Sequence, residues 1–217
     1  MGTITRSFAN NITTSGVLLP ASLTNNSIAN VTSYNAAVAQ GGMVLLSSQT
    51  ASNSASISFT TGINSTYKEY QFWFINIAPR TDDTSFRFQT STDGGSNYGV
   101  AATTTYFLAS HYEDDSATNL AYDTGNDLAQ GTGFQYLFSG NGNGADENGV
   151  GTLQLFNPAS TTYVKHFIST NQYYHAANIS INSNVAGYFN TTSAINAVQF
   201  KMNSGNMDGT ILMYGIV

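Results

Sequence analysis

The stretch KEYQFWFINIAPRTDDTSFRFQTSTDGGSNY, residues 68–98, decides the fold. It reads as two strands and a turn. Alternation along an extended chain puts Tyr70, Phe72 and Phe74 on one side of the first strand, and Trp73, Ile75 and Ile77 on the other. Both sides are apolar, which is the pattern of a central strand covered on both faces. In the second strand Phe86 and Phe88 point inward, while Ser85, Arg87 and Gln89 point to water. Between them, Pro79 fixes its own φ, and Asp82 and Asp83 hydrogen-bond local backbone, so the connection is a turn. A doubly buried aromatic strand beside a half-buried one predicts the middle of a β-sandwich.

The rest of the chain extends this pattern in both directions. Before the stretch, residues 43–49 and 57–60 read as strands. After it come strands over 100–111, 120–122, 134–138, 150–156 and 163–169. Two short strands, 179–181 and 185–189, are expected about a turn at Asn182-Ser183-Asn184, followed by strands over 195–202 and 210–216. No segment carries a 3.6-residue apolar period. The prediction is an all-β protein: a jelly-roll-like antiparallel β-sandwich of about ten strands with an extended N-terminal arm. A fibronectin-like or lectin-like sandwich is the second choice. Residues 140–149, rich in glycine, are expected to form a flexible surface loop.

The arm spans residues 1–41 and the sandwich 42–217. Up to Tyr67 the only charged side chain is Arg6, yet Phe8, Ile12, Val17, Leu18 and Leu19 offer apolar anchors. Free tails usually carry charge, so the arm is expected to lie on its own domain or on a neighbouring subunit. It has no continuous apolar core of the kind a signal peptide needs.

Only 8% of the 217 residues are charged, against about 25% in an ordinary domain, and the net charge is −6. Uncharged polar surface suits crowded assemblies. Six scattered basic residues make no stripe that would follow phosphates, so no nucleic-acid partner is expected. Nor is a membrane partner, since no apolar run approaches the length of a span. The chain has no cysteine.

Catalytic chemistry lacks its parts. There is no Gly-x-Ser-x-Gly elbow, and the acids gather on one loop instead of facing each other across a cleft. That loop, residues 113–127, holds Glu113, Asp114, Asp115, Asp123 and Asp127, and Asp123-x-Gly125-x-Asp127 only approaches a calcium loop. His111, His166 and His175 share no two-histidine spacing on one element. No metal site and no cofactor are expected. Tyr112, Tyr173, Tyr174 and His175 are the candidates for stacking on a glycan or partner.

Four stretches carry a resemblance. They are STYKEYQFWFINIAPRTDDTSFRFQTSTDGGSNY (65–98), DLAQGTGFQ (127–135), LFNPASTTYVKHFIST (155–170) and GYFNTTSAINAVQFKMNSGNMDGTILMYGI (187–216). Together they resemble virion-associated structural proteins, decoration-like or fibre-like, of tailed bacteriophages of marine bacteria. The resemblance implies a non-enzymatic virion component and supplies no catalytic residues. The first expectation is a homotrimeric decoration (cement) protein on the particle exterior, held against the major capsid protein. The alternative is a tail fibre or receptor-binding protein that contacts host surface glycans. A free carbohydrate-binding module is the third reading. The assembly reading carries two conditions: Trp73 is sealed between sheets, and the uncharged leader grips a neighbour.

Overall fold

The structure, a computed structural model, describes residues 42–217. The expected arm, with Phe8, Ile12, Val17, Leu18 and Leu19, lies outside the described residues. Every regular element among them is a strand. In chain order these are β1 (Met43–Ser54), β2 (Ile57–Phe59), β3 (Glu69–Pro79), β4 (Phe86–Ser91), β5 (Ala102–Tyr112), β6 (Thr118–Tyr122) and β7 (Ala129–Gly131). They continue as β8 (Gln135–Tyr136), β9 (Gly149–Phe156), β10 (Lys165–His175), β11 (Ile179–Phe189), β12 (Ala197–Met202) and β13 (Met207–Ile216).

The strands form two antiparallel sheets, so the all-β sandwich expected from sequence is the observed class. The large sheet runs β1-β13-β3-β9-β10-β11-β5-β6, with β7 also paired to β5; the small one runs β2-β12-β4-β8. The pairings nest. β1 pairs with β13 and β2 with β12, while β3 pairs with β9 and β4 with β8. The chain therefore folds back on itself as one long hairpin whose successive rungs alternate between sheets. Two insertions, β5–β7 and β10–β11, leave this hairpin and widen the large sheet beyond β9.

The aromatic stretch does not make two neighbouring strands. β3 belongs to the large sheet and β4 to the small one, so the turn at residues 80–85 carries the chain across the sandwich. Phe72 and Phe74 on β3 meet Phe86 and Phe88 on β4 through Phe200 on β12, whose ring lies 5.2–6.1 Å from these four. The contacts to Phe72 and Phe74 are tilted or edge-on and those to Phe86 and Phe88 are stacked. Every one of these rings is buried.

The expectation that β3 is covered on both faces fails. A bulge between Phe74 and Ile77, with Asn76 at φ 51°, shifts the side-chain phase by one residue. Ile77 therefore turns inward with Tyr70, Phe72 and Phe74, and is fully buried. Trp73 and Ile75 stay on the outer face, 39% and 38% exposed. Gln89 departs in the opposite sense. It is buried, because residues 98–101 and 132–134 cross the outer face of the small sheet and its amide donates to the carbonyls of Val100, Thr132 and Gly133.

Two turns are placed differently from the sequence reading. Residues 179–189 are one continuous strand, paired with β10 from Lys165↔Phe189 to His175↔Ile179. The hairpin turn lies at Ala176–Asn178, where Asn178 takes φ 59°. Asn182-Ser183-Asn184 stays extended because Ser183 is buried and its hydroxyl donates to the Leu137 carbonyl at 2.7 Å. Asn171 on β10 supports the same seam, donating to Leu137 O and Ser183 Oγ. The glycine-rich segment is also more anchored than expected. Asn141 is buried and exchanges both backbone hydrogen bonds with Thr84, and only residues 143–146 of the segment are exposed.

Candidate functional site

The outer face of the large sheet is the first candidate. Pairing registers align Ser48, Leu212, Trp73, Thr152, Thr170, Asn184, Phe107 and Tyr122 in one row across eight strands. The row above runs from Leu45 and Tyr214 to Ala186 and Thr105, and the row below from Thr50 and Thr210 to Ala109 and Leu120. None of these residues is Asp, Glu, Lys or Arg. Leu45, Trp73, Ile75, Ile168, Phe107 and Leu120 are all exposed there. Trp73 packs obliquely on Tyr214, centroids 5.4 Å apart, which fixes the indole against the sheet while leaving its outer side open. A solvated sheet face normally alternates with charge. Across these three rows the face is polar without charge and studded with large apolar groups, a composition typical of interaction patches; Glu69 stands on the same face beyond them. The sequence reading took Trp73 and Ile75 for core, so it missed this face.

The second candidate lies where the acidic loop, the β10–β11 turn and the end of the glycine-rich loop converge. Glu113 stands between two depressions. One, about 340 Å³, is lined by Tyr112, Glu113, Asp114, Ala177 and Asn178. The other, about 190 Å³, is lined by Glu113, Asn148, Val150, Gln172, Ser180 and the two tyrosines of β10. The Tyr174 hydroxyl donates to Asn178 Oδ1 at 3.2 Å, and the nearby Glu113 carboxylate pushes its pKa above the ordinary phenol value. Gln172 Nε2 donates to Ser180 Oγ at 2.8 Å across the two strands. The Glu113 backbone N–H donates to Asn178 O, tying the acidic loop to the hairpin.

Of the four aromatic candidates, Tyr112 and Tyr174 share this place. Tyr173 does not serve as a surface aromatic. It points to the opposite face of β10, is 2% exposed, stacks on Phe138 at 5.1 Å and shares its hydroxyl with Tyr106. Burial pushes its pKa far up. His175 is engaged in the turn, where its Nδ1 accepts from the Ala177 N–H at 3.0 Å. Strand alternation separates the adjacent tyrosines, a distinction that required knowing β10 continues to His175.

Most of the acids of residues 113–127 are occupied locally. Asp114 accepts from the Ser116 N–H, Asp115 meets His111 Nε2 at 3.0 Å, and Asp127 accepts from the Tyr122 hydroxyl at 2.6 Å. Asp123 holds the Gly125 N–H and the Asn126 amide. Among the described residues no three His, Asp or Glu side chains are placed to hold one metal ion.

No family model, curated protein or solved structure matches the chain.

Proposed function

We propose that this chain is a non-enzymatic structural protein of a tailed-phage virion, a decoration subunit on the capsid exterior that assembles as a homotrimer. The single observation that carries the assembly role is the uncharged, apolar-studded outer face of the large sheet around Trp73 and Leu45. The condition the sequence reading attached to this role, a Trp73 sealed inside its own chain, is not met; the role now rests on that face being open. Burying several hundred Å² of apolar surface contributes several kcal/mol at about 25 cal/mol per Å², before ordering costs. Repetition around a shell multiplies weak contacts by avidity.

The nested rungs β1·β13, β2·β12, β3·β9 and β4·β8 support naming the sandwich a jelly roll, an eight-stranded double Greek key widened by two insertions. That architecture recurs in viral capsid proteins, and by analogy it supports the role. The virion assignment itself draws on the four stretches of sequence that resemble phage structural proteins.

Counting copies tests the location. Quantitative mass spectrometry of purified particles should find hundreds of copies per virion. A few dozen or fewer overturns the decoration role in favour of a tail fibre or receptor-binding tip. Deleting residues 1–40 should leave a folded sandwich that no longer joins particles; binding equal to that of the full chain removes the arm from the mechanism.

A further inference from the structure

The depressions on either side of Glu113 have a chemistry of their own, although Val150, Gln172 and Tyr174 share the outer face of the large sheet with Trp73. We infer that they form a saccharide site, taking a neutral pyranose between Tyr174 and Glu113. The inference does not depend on where in a particle the chain sits, nor on the assembly role.

Three features select this ligand. The first is the set of polar groups. Gln172, Asn148, Asn178 and Glu113 present planar amides and a carboxylate, with Ser180 beside them. Such groups offer paired acceptors, or an acceptor next to a donor, at the spacing of neighbouring ring hydroxyls. They are held in place: Gln172 by Ser180, Asn178 by the Tyr174 hydroxyl, and the Glu113 backbone by Asn178 O. A site that is ordered before binding loses less entropy on binding. The second feature is the aromatic surface. Tyr174 lines one depression and Tyr112 the other, and each supplies a ring against which the C–H face of a pyranose packs.

The third feature is charge. No Lys or Arg lines either depression, whereas Glu113 and Asp114 do, and Asp146 and Glu147 add to the negative potential at Tyr174. An anionic sugar such as sialic acid or a uronate would be repelled, and a phosphate group finds no partner. The volumes, about 190 and 340 Å³, suit one or two sugar rings rather than an extended apolar ligand. A cationic peptide is the competing occupant, because it would be drawn by the same acids.

Saturation-transfer NMR on the full chain separates these outcomes. The probes are the methyl glycosides of glucose, galactose, mannose and N-acetylglucosamine, with sialic acid and trilysine as charged controls. At least one neutral glycoside should receive saturation, concentrated on the C–H groups of one ring face, and sialic acid should receive none. Tyr174→Ala and Gln172→Ala should each weaken binding at least about tenfold, the scale of one lost stacking or hydrogen-bonding contact. Tyr174→Phe, which keeps the ring, should bind within about threefold of the original protein. Glu113→Gln, at an exposed position, is a second variant that should leave the fold intact and also weaken binding. Tyr163→Ala, at an exposed tyrosine outside the site, should change nothing. The inference is overturned if no neutral glycoside is saturated, if binding survives both Tyr174→Ala and Glu113→Gln, or if trilysine alone binds in a salt-sensitive manner.

Discussion

Gly209 on β13 faces the carbonyl of Asn76 on β3 so closely that a Cβ at position 209 would lie 2.6 Å from that oxygen. Both residues take positive φ, 126° for Gly209 and 51° for Asn76, and both sit at register shifts of the same strand pair. The paired irregularity turns Ile77 into the core and leaves Ile75 and Trp73 outside. Gly209 is therefore a geometric requirement of the bulge. Gly209→Ala should destabilise the fold by about 2 kcal/mol or more, combining a disfavoured backbone with a backbone clash. Gly133→Ala, where φ is ordinary and nothing lies within 4 Å, should be close to neutral. Thermal melts of the two variants check the contrast; equal melting temperatures would remove the bulge from the account.

The bulge also marks the limit of what the sequence discloses. Alternation of Tyr70, Phe72, Phe74 with Gln71, Trp73, Ile75 is legible, and it yields strand, sandwich and core correctly. One αL residue in mid-strand cannot be read from that alternation, although Asn in an apolar run is a hint, since Asn tolerates αL better than other non-glycine residues. Everything after Asn76 then changes face. The same limit applies to Asn182-Ser183-Asn184. Its composition says turn, but a buried partner, the Leu137 carbonyl, holds it extended. Of the site, Tyr112 and Tyr174 were legible as aromatics. Their grouping with Glu113, Gln172 and Ser180 depends on strand pairings between distant segments, which no local pattern reports.

Acid should weaken the fold through carboxylates that serve as turn acceptors. Asp93 accepts from the Ser91 hydroxyl, the Asn97 amide and the Asn97 N–H, and these hold its pKa at about 2, below the ordinary 3.8. Asp208, bonded by Arg80, and Asp114, bonded by Ser116, are lowered as well. A depressed folded-state pKa contributes stability above the unfolded value and loses it as pH falls. Melting temperature should therefore drop between about pH 4 and pH 2. Asp93→Asn should flatten that slope, and an unchanged slope would exclude Asp93 as a contributor.

Alkali should act through the buried tyrosines. Burial raises the pKa of both Tyr173 and Tyr106 above the ordinary 10.0. A raised folded-state value means that their contribution is complete below pH 10 and is lost as pH climbs beyond it. In a spectrophotometric titration, a late group of tyrosines should ionise only together with cooperative unfolding. Replacing Tyr173 by Phe should shrink the late group. Ionisation of all tyrosines in a single early step would contradict the buried Tyr106–Tyr173 pair.

Phe200 and Trp73 separate folding from assembly. Phe200 is fully buried and touches five other phenylalanines, Phe59, Phe72, Phe74, Phe86 and Phe88, so it ties β12 to both sheets. Truncating such a ring leaves a cavity that the surrounding rings cannot fill, and Phe200→Ala should cost about 3–5 kcal/mol. Trp73 has its outer side in water and a single aromatic neighbour, Tyr214, so Trp73→Ala should cost the isolated domain about 1 kcal/mol, an ordinary effect for a half-exposed position. In a particle the order should reverse. If the Trp73 face is what docks, a buried tryptophan at its centre is the kind of residue that dominates binding energy. Trp73→Ala should then reduce occupancy on particles at least about tenfold while leaving the purified domain folded. Denaturant melts of the domain and band intensities from purified particles give the two readouts. A Trp73→Ala protein that incorporates normally would show that the uncharged face of the large sheet is not the contact surface.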